Sequence, residues 1–260
     1  MEKKCFTITD IINCGNSYSN PIKIFTLYPS SKDEKNIAFK PGQFVQLFQL
    51  QDQEGQNQRD RDQRNQNKKD LDEGFGKLSR PYSIASSPHD KKLRFVIKMV
   101  GGQFTLLLDK MRVGEKLGVV GPFGHFIYQE ERDVIFLAAG TGIAPILGIL
   151  EYIAQEKKQG NFTLFYSNKK QEEIACAALL ENFKRQNPHI KIIYTLTQQI
   201  PDGWTDELGR IDEKMIEKYV DYANIAAVFI CGPMKFAMSM KEIMVKLGTR
   251  NEKIKIEAWG

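Results

Sequence analysis

The sequence predicts a β plus α/β chain: an antiparallel six-stranded barrel followed by an α/β domain built on a parallel sheet. Three observations predict it. The first half holds six short runs of partly alternating apolar and polar residues, separated by turn signals. In the second half, wholly apolar runs alternate with stretches of helical character. One long polar tract interrupts only the first half.

The strands expected in the first half are Phe6 to Ile12, Ile22 to Tyr28, Gln43 to Leu50, Arg80 to Ala85, Leu93 to Val100 and Lys116 to Val120. With one helical piece, Phe104 to Met111, they fit a small antiparallel barrel over residues 1–128. The tract from Gln51 to Lys77 has almost no apolar residue, and its charges nearly balance. It cannot bury enough surface to offset the entropy of ordering, so it is expected to be a disordered surface loop between two barrel strands.

Residues 129–260 read differently. Val134 to Ala138, Phe162 to Tyr166, Ile190 to Leu196, Ala227 to Ile230 and Ile254 to Ile256 are strands. Helices are expected from Ile143 to about Gln159, Gln171 to about Gln186, Asp212 to Tyr219 and Met234 to Leu247. Gly248 suits the position just past the last helix. Strands apolar on both faces and alternating with helices indicate a parallel sheet covered on each side. The join is expected between Tyr128 and Asp133.

Composition narrows the function classes. Among 260 residues, 42% hydrophobic and 27% charged describe a globular protein rather than a disordered chain. The net charge of +5 is spread along the chain without a dense basic tract, so nucleic-acid binding is not indicated. Val134 to Leu150 carries no charge, but it is shorter than the ~20 residues a bilayer requires. Gly140, Gly142 and Pro145 at its centre make it a strand, a turn and a buried helix, and no membrane span is expected. The start, Met1 to Thr7, lacks the apolar core of a signal peptide. Cys5, Cys14, Cys176 and Cys231 are far apart, which supports neither a zinc site nor an all-cysteine cluster. No metal and reduced cytoplasmic thiols are the expectation.

Several short segments carry chemistry. Arg80-Pro81-Tyr82-Ser83-Ile84-Ala85-Ser86-Ser87-Pro88 offers a guanidinium, a flat ring and a hydroxyl in a β-like run. Arg80 and Tyr82 point one way along an extended strand. Arginine pairs a pyrophosphate in a fork and tyrosine stacks on a ring system. Taken alone, the segment is equally an ordinary strand with an exposed Arg. Ala139-Gly140-Thr141-Gly142-Ile143-Ala144-Pro145 sits between an apolar strand and a helix, where backbone amides meet phosphates; the alternative is a tight turn with no ligand. Cys231-Gly232-Pro233-Met234 repeats that layout at the last parallel strand, and Cys231 could border a nicotinamide or simply fill core. Gly101-Gly102-Gln103-Phe104-Thr105 opens the barrel helix, with Thr105 either a diphosphate ligand or an N-terminal cap. His125, in the turn Gly121 to Phe126, reads as structural.

In order and spacing the chain resembles the ferredoxin–NADP reductase superfamily over nearly its whole length. Lys40-Pro41-Gly42-Gln43-Phe44, the Arg80-to-Pro88 segment, Gly101 to Thr105, Gly121 to Phe126, Ala139 to Pro145, Cys231 to Met234 and Glu257-Ala258-Trp259-Gly260 carry the resemblance. It implies an FAD-binding barrel and a Rossmann-like NAD(P)-binding domain. By the same resemblance, Arg80 binds the flavin diphosphate, Tyr82 lies against the isoalloxazine, and Ser83 hydrogen-bonds near flavin N5. Gly102, Gln103 and Thr105 hold the rest of the diphosphate, and Pro81 lies within the same motif. Gly140, Thr141 and Gly142 cradle the pyridine nucleotide, with Cys231, Gly232, Pro233 and Met234 beside the nicotinamide. Glu257 and Trp259 match the acid and the aromatic placed near the flavin. The chain departs from the family in its longer Gln51–Lys77 insertion and in having Trp-Gly where the family has a terminal Tyr.

The stretch Phe165 to Ile174 resembles the one carried by NADH-using cytochrome b5 reductases. Thr197-Gln198-Gln199 lacks the Arg that many NADPH-specific members place there. Glu172 and Glu173 suit the ribose hydroxyls of NADH; Lys169 and Lys170 suit the extra phosphate of NADPH. NADH is favoured. The expected activity is hydride transfer from NADH or NADPH to FAD, with electrons passed to a one-electron redox protein, ferredoxin- or cytochrome-like. Alternatives are the electron-input subunit of a larger redox complex, such as a hydrogenase or oxygenase, and a non-catalytic nucleotide sensor. The chain is expected to be a monomer or a subunit of a complex.

Overall fold

The computed structural model describes residues 2–15, 20–31, 36–50, 75–221 and 224–259. Strands β1 (Glu2–Gly15), β2 (Ile22–Pro29), β3 (Phe44–Leu50), β4 (Phe75–Ser83), β5 (Leu93–Lys98) and β6 (Lys116–Phe123) form one antiparallel sheet in the order β4-β3-β6-β1-β2-β5. Just beyond β4, Ala85 N donates to Arg94 O of β5 at 2.7 Å, drawing the two ends of this row together. Alternate residues fill the interior: Phe6 and Ile8, Phe25 and Leu27, Val45 and Leu47, Phe95 and Ile97, Leu117 and Val119. Helix α1 (Gln103–Lys110) closes the core with Phe104 and Leu108.

The second sheet is parallel. Strands β7 (Asp133–Ala139), β8 (Asn161–Asn168), β9 (Ile190–Leu196), β10 (Glu207–Leu208), β11 (Ala227–Pro233) and β12 (Ile254–Trp259) take the order β10-β9-β8-β7-β11-β12. In β7, Val134, Phe136 and Ala138 face one core, which includes residues of α2 (Ile143–Gln155) and α3 (Ala177–Gln186). Ile135 and Leu137 face the other, shared with α4 (Glu213–Tyr219) and α5 (Met234–Lys246). Among the described residues, no helix is long and apolar enough to cross a membrane. The apolar run from Val134 instead becomes a buried strand, turn and helix.

The structure corrects several boundaries. Of the tract expected as a loop, residues 51–74 lie outside the described residues, while 75–77 already belong to β4. The reason is Phe75, whose ring packs edge-on to Phe48 at 5.4 Å and fills the space that a side chain at Gly118 would need. The helix expected from Gln171 begins at Ala177. Residues 171–173 make a single tight turn, and Cys176 takes a left-handed φ of 62°, which interrupts helix propagation. Helix α2 stops at Gln155 rather than near Gln159, because Lys157 also turns left-handed. The two-residue β10 was too short to show any periodicity.

The two sheets meet tightly. A side chain at Gly148 of α2 would stand 2.7 Å from Ile84 O, so helix and barrel chain touch at backbone level. Beside that contact, Arg94 Nη1 donates to both Glu151 oxygens, at 3.2 and 3.1 Å, and to Ala85 O at 3.3 Å. Ser87 N donates to Glu151 Oε2 at 2.8 Å. Burial pushes the Glu151 carboxyl above its ordinary pKa and the Arg94 charge opposes that shift.

Candidate active site

Beside this junction the ends of β4 and β12, the start of α1 and the turn after β7 enclose a cleft of about 420 Å³. Pro81, Tyr82 and Ser83 line it from the barrel with Thr105; Thr141, Glu257 and Trp259 line it from the parallel sheet. The register explains the second set: β12 lies beside β11, with Glu257 opposite Cys231 and Trp259 opposite Pro233. Strand ends project side chains past the sheet's carboxyl edge, where ligands of open α/β folds gather.

Ser83 Oγ donates to Glu257 Oε1 at 2.5 Å and so bridges the two domains across the cleft. Burial pushes the Glu257 carboxyl above its ordinary value, and the bond from Ser83 pulls it partly back. The Tyr82 ring packs against Phe104, centroids 5.9 Å apart at 32°. Burial pushes its phenol up to about 12 against the opposing charge of Arg80.

Arg80 itself is exposed and does not line the cleft; its Nη1 donates to Ser79 O at 2.8 Å. Gly102 and Gln103 are exposed at the start of α1, outside the lining. The cap is Gly102, with no side-chain cap bond, so Thr105 is not the cap that one reading allowed. Its hydroxyl donates back to Gly102 O at 3.0 Å.

The glycine turn after β7 is built for close approach. Gly140 takes φ 54°, and a side chain at Gly142 would stand 2.1 Å from Cys231 O. The turn lies directly on the end of β11. Tyr166 Oη, buried under it, donates to Gly140 O at 2.9 Å and accepts from Ala175 N at 3.2 Å. In the sequence, Tyr166 ends a strand and lies in the Phe165–Ile174 stretch, but nothing there gave it a role beneath the Gly140 turn.

Cys231, placed by resemblance beside a nicotinamide, is fully buried behind the cleft. Burial, then the Glu257 carboxyl, push its thiol well above the ordinary value. Gly232 is buried too, while Pro233 and Met234 are exposed where α5 opens. The lining also includes Phe44, Val96, Lys98 and Val100, which sequence reading did not place in the site. Val96 and Lys98 lie two apart on β5 and Val100 just past its end, a spacing that was the available clue. Among the described residues, no group of three His, Cys, Asp or Glu side chains could hold a metal.

Residues 72–128 match the family described as oxidoreductase FAD-binding domain, and residues 136–242 match the oxidoreductase NAD-binding domain. The chain therefore carries an FAD-binding and an NAD-binding oxidoreductase domain in tandem. NADH-cytochrome b5 reductase 2 of Mycosarcoma maydis is 30% identical over 162 residues, 59% of this chain and 46% of that protein. The chain thus spans less than half of that relative's length. Sulfhydrogenase 2 subunit gamma of Pyrococcus furiosus is 28% identical over 225 residues, covering 81% of this chain and 69% of the subunit. In fold, the FAD/NAD-binding domain of nitric oxide dioxygenase from Vibrio cholerae superposes with a TM-score of 0.79, at 19% identity, covering 99% of this chain and 98% of that one.

For a chain with these two domains, the residues present fit an FAD. The exposed Arg80 guanidinium has donors beyond its bond to Ser79, and α1 offers first-turn amides that its own cap leaves unbonded. Tyr82 and Trp259 border the cleft from opposite domains.

Proposed function

We propose that this chain oxidises NADH at FAD and hands the electrons singly to a protein acceptor. The flavin, when bound, accepts a hydride and can release its two electrons one at a time. Everything else is positioning. Arg80 and the start of α1 hold the diphosphate, and Tyr82 fixes the ring system against the barrel. Ser83 offers its hydroxyl at the reacting edge, and Glu257 orients that hydroxyl through the 2.5 Å bond. Gly140, Thr141 and Gly142 hold the nucleotide, with Cys231, Gly232, Pro233 and Met234 shaping the wall behind it. Trp259 covers the cleft and helps keep water out.

The Ser83–Glu257 bond carries the reading, since it brings a barrel hydroxyl and a parallel-sheet carboxyl into one cleft. NADH remains the favoured donor. Glu172 is engaged elsewhere: it lines a separate cleft and lies 3.9 Å from Lys170. Glu173, and the lack of an Arg in Thr197-Gln198-Gln199, therefore support the preference.

The acceptor is a haem- or iron–sulfur-bearing protein. A second reading is favoured by the coverage of the sulfhydrogenase gamma subunit, which exceeds two thirds of both chains. In it, this chain is the electron-input subunit of a larger redox complex. Ferricyanide reduction by the purified chain with NADH separates the two. Turnover by the chain alone supports the free enzyme, and activity that appears only with a partner supports the subunit. A preparation that takes up no flavin would contradict both and leave a nucleotide sensor.

A further inference from the structure

A second cleft, of about 630 Å³, lies between the domains and shares no lining residue with the first. Its wall holds two cysteines from different domains: Cys14 near the end of β1 and Cys176 at the cap of α3. Although 162 positions apart in sequence, they meet at backbone level, with Cys176 N donating to Cys14 O at 3.2 Å. That backbone bond sets the two side chains beside each other, each shifting the other's ionisation, and both are thiols.

Two features make this pair more than core filling. Cys176 holds a left-handed backbone, φ 62°, a conformation that glycine or asparagine takes with least strain. The pair is also asymmetric. Cys14 is half-buried on the cleft wall, whereas Cys176 is 4% exposed. Lys92 and Arg94 line the same cleft with the carboxylates of Asp10 and Glu172, and the Arg94 charge, already paired with Glu151, also acts to lower the Cys176 thiol. The bond from Cys176 lowers the Cys14 thiol below its ordinary value, against burial; the same contact, then burial, raise Cys176.

We propose that Cys14 and Cys176 form a peroxide-oxidised dithiol site, whose disulfide ties the barrel covalently to the parallel-sheet domain. The Cys14 thiolate attacks one oxygen of hydrogen peroxide; the O–O bond breaks, hydroxide leaves, and Cys14 becomes a sulfenic acid. The Cys176 sulfur then attacks the Cys14 sulfur. The S–S bond forms, the S–O bond breaks, and the hydroxyl leaves as water with the Cys176 proton. The proton that Cys14 gave up on ionising neutralises the released hydroxide. Overall, two thiols lose two electrons and one peroxide becomes two waters. A thiol reductant reverses the bridge.

The test uses the full-length protein with its flavin, titrated with hydrogen peroxide, alkylated and mapped without reduction. The expected result is loss of two of the four thiols and a single cross-linked peptide joining Cys14 to Cys176. Dithiothreitol reverses both. Cys176→Ser leaves Cys14 as a sulfenic acid trapped by dimedone, while Cys5→Ser keeps the cross-link. If a variant fails to fold, the wild-type map decides. Thiol loss confined to Cys5 or Cys231, a bridge between two chains, or Cys14 passing to the sulfinic acid without a cross-link would overturn the proposal.

Discussion

Ser83 and Glu257 stand 174 residues apart in sequence, yet their hydroxyl and carboxylate meet at 2.5 Å across the seam between barrel and parallel sheet. A hydroxyl held this way has one orientation. Ser83→Ala removes the donor and leaves the buried carboxyl without a partner in that direction. Flavin content should stay as in the wild type, while the rate of flavin reduction by NADH falls roughly 100-fold, the scale of losing one oriented group at a reacting centre. Stopped-flow absorbance measures it.

The Glu257 carboxyl also has a signature in stability. Its folded pKa lies above the ordinary 4.5, so in the window just above 4.5 the folded state binds more protons than the unfolded state. Its contribution is fully present below that value and is lost as pH rises through the folded pKa. Glu257→Gln cannot titrate. The stability of the variant relative to wild type should therefore grow as pH rises from 4.5 towards neutrality. Urea unfolding across that range checks the sign.

At the junction, the Arg94–Glu151 pair is buried on both sides. Removing one partner leaves an uncompensated charge, so Glu151→Ala should cost about 3–5 kcal/mol. Replacing both by apolar residues of similar volume, Arg94→Met with Glu151→Leu, should recover most of that loss. Denaturant midpoints for the three chains decide it.

Much of the fold was legible because its signals are local. Partial alternation marked Ile22 to Tyr28 and Leu93 to Val100 as barrel strands, and doubly apolar runs marked β7 and β11 as buried parallel strands. Boundaries failed where tertiary contacts decided them, as when Phe75 docked over Gly118 and lengthened β4. In the candidate site, Tyr82, Ser83, Thr105, Thr141, Glu257 and Trp259 sit in motifs that sequence reading picked out, and the structure gathers them in one cleft. Cys231 and Tyr166 were less readable. An apolar-flanked Cys looks the same whether it faces a ligand or the core, and only the fold shows that Tyr166 supports the Gly140 turn. The meeting of Cys14 with Cys176 depends on the packing of two domains, which no local pattern encodes.

Gly142 tests the nucleotide side of the cleft. An added methyl would stand 2.1 Å from Cys231 O, a backbone atom that cannot swing away. Gly142→Ala should lower stability by about 1–3 kcal/mol, the usual cost of overpacking. It should also weaken NADH binding more than it weakens flavin binding, since the barrel is untouched. Fluorescence titrations with each ligand separate the two effects.

The most direct measurement is anaerobic mixing of the FAD-loaded protein with NADH and, separately, with NADPH while the flavin absorbance is followed. The account predicts rapid bleaching by NADH and slower bleaching by NADPH. A flavin that binds in the cleft but is bleached by neither nucleotide would contradict it.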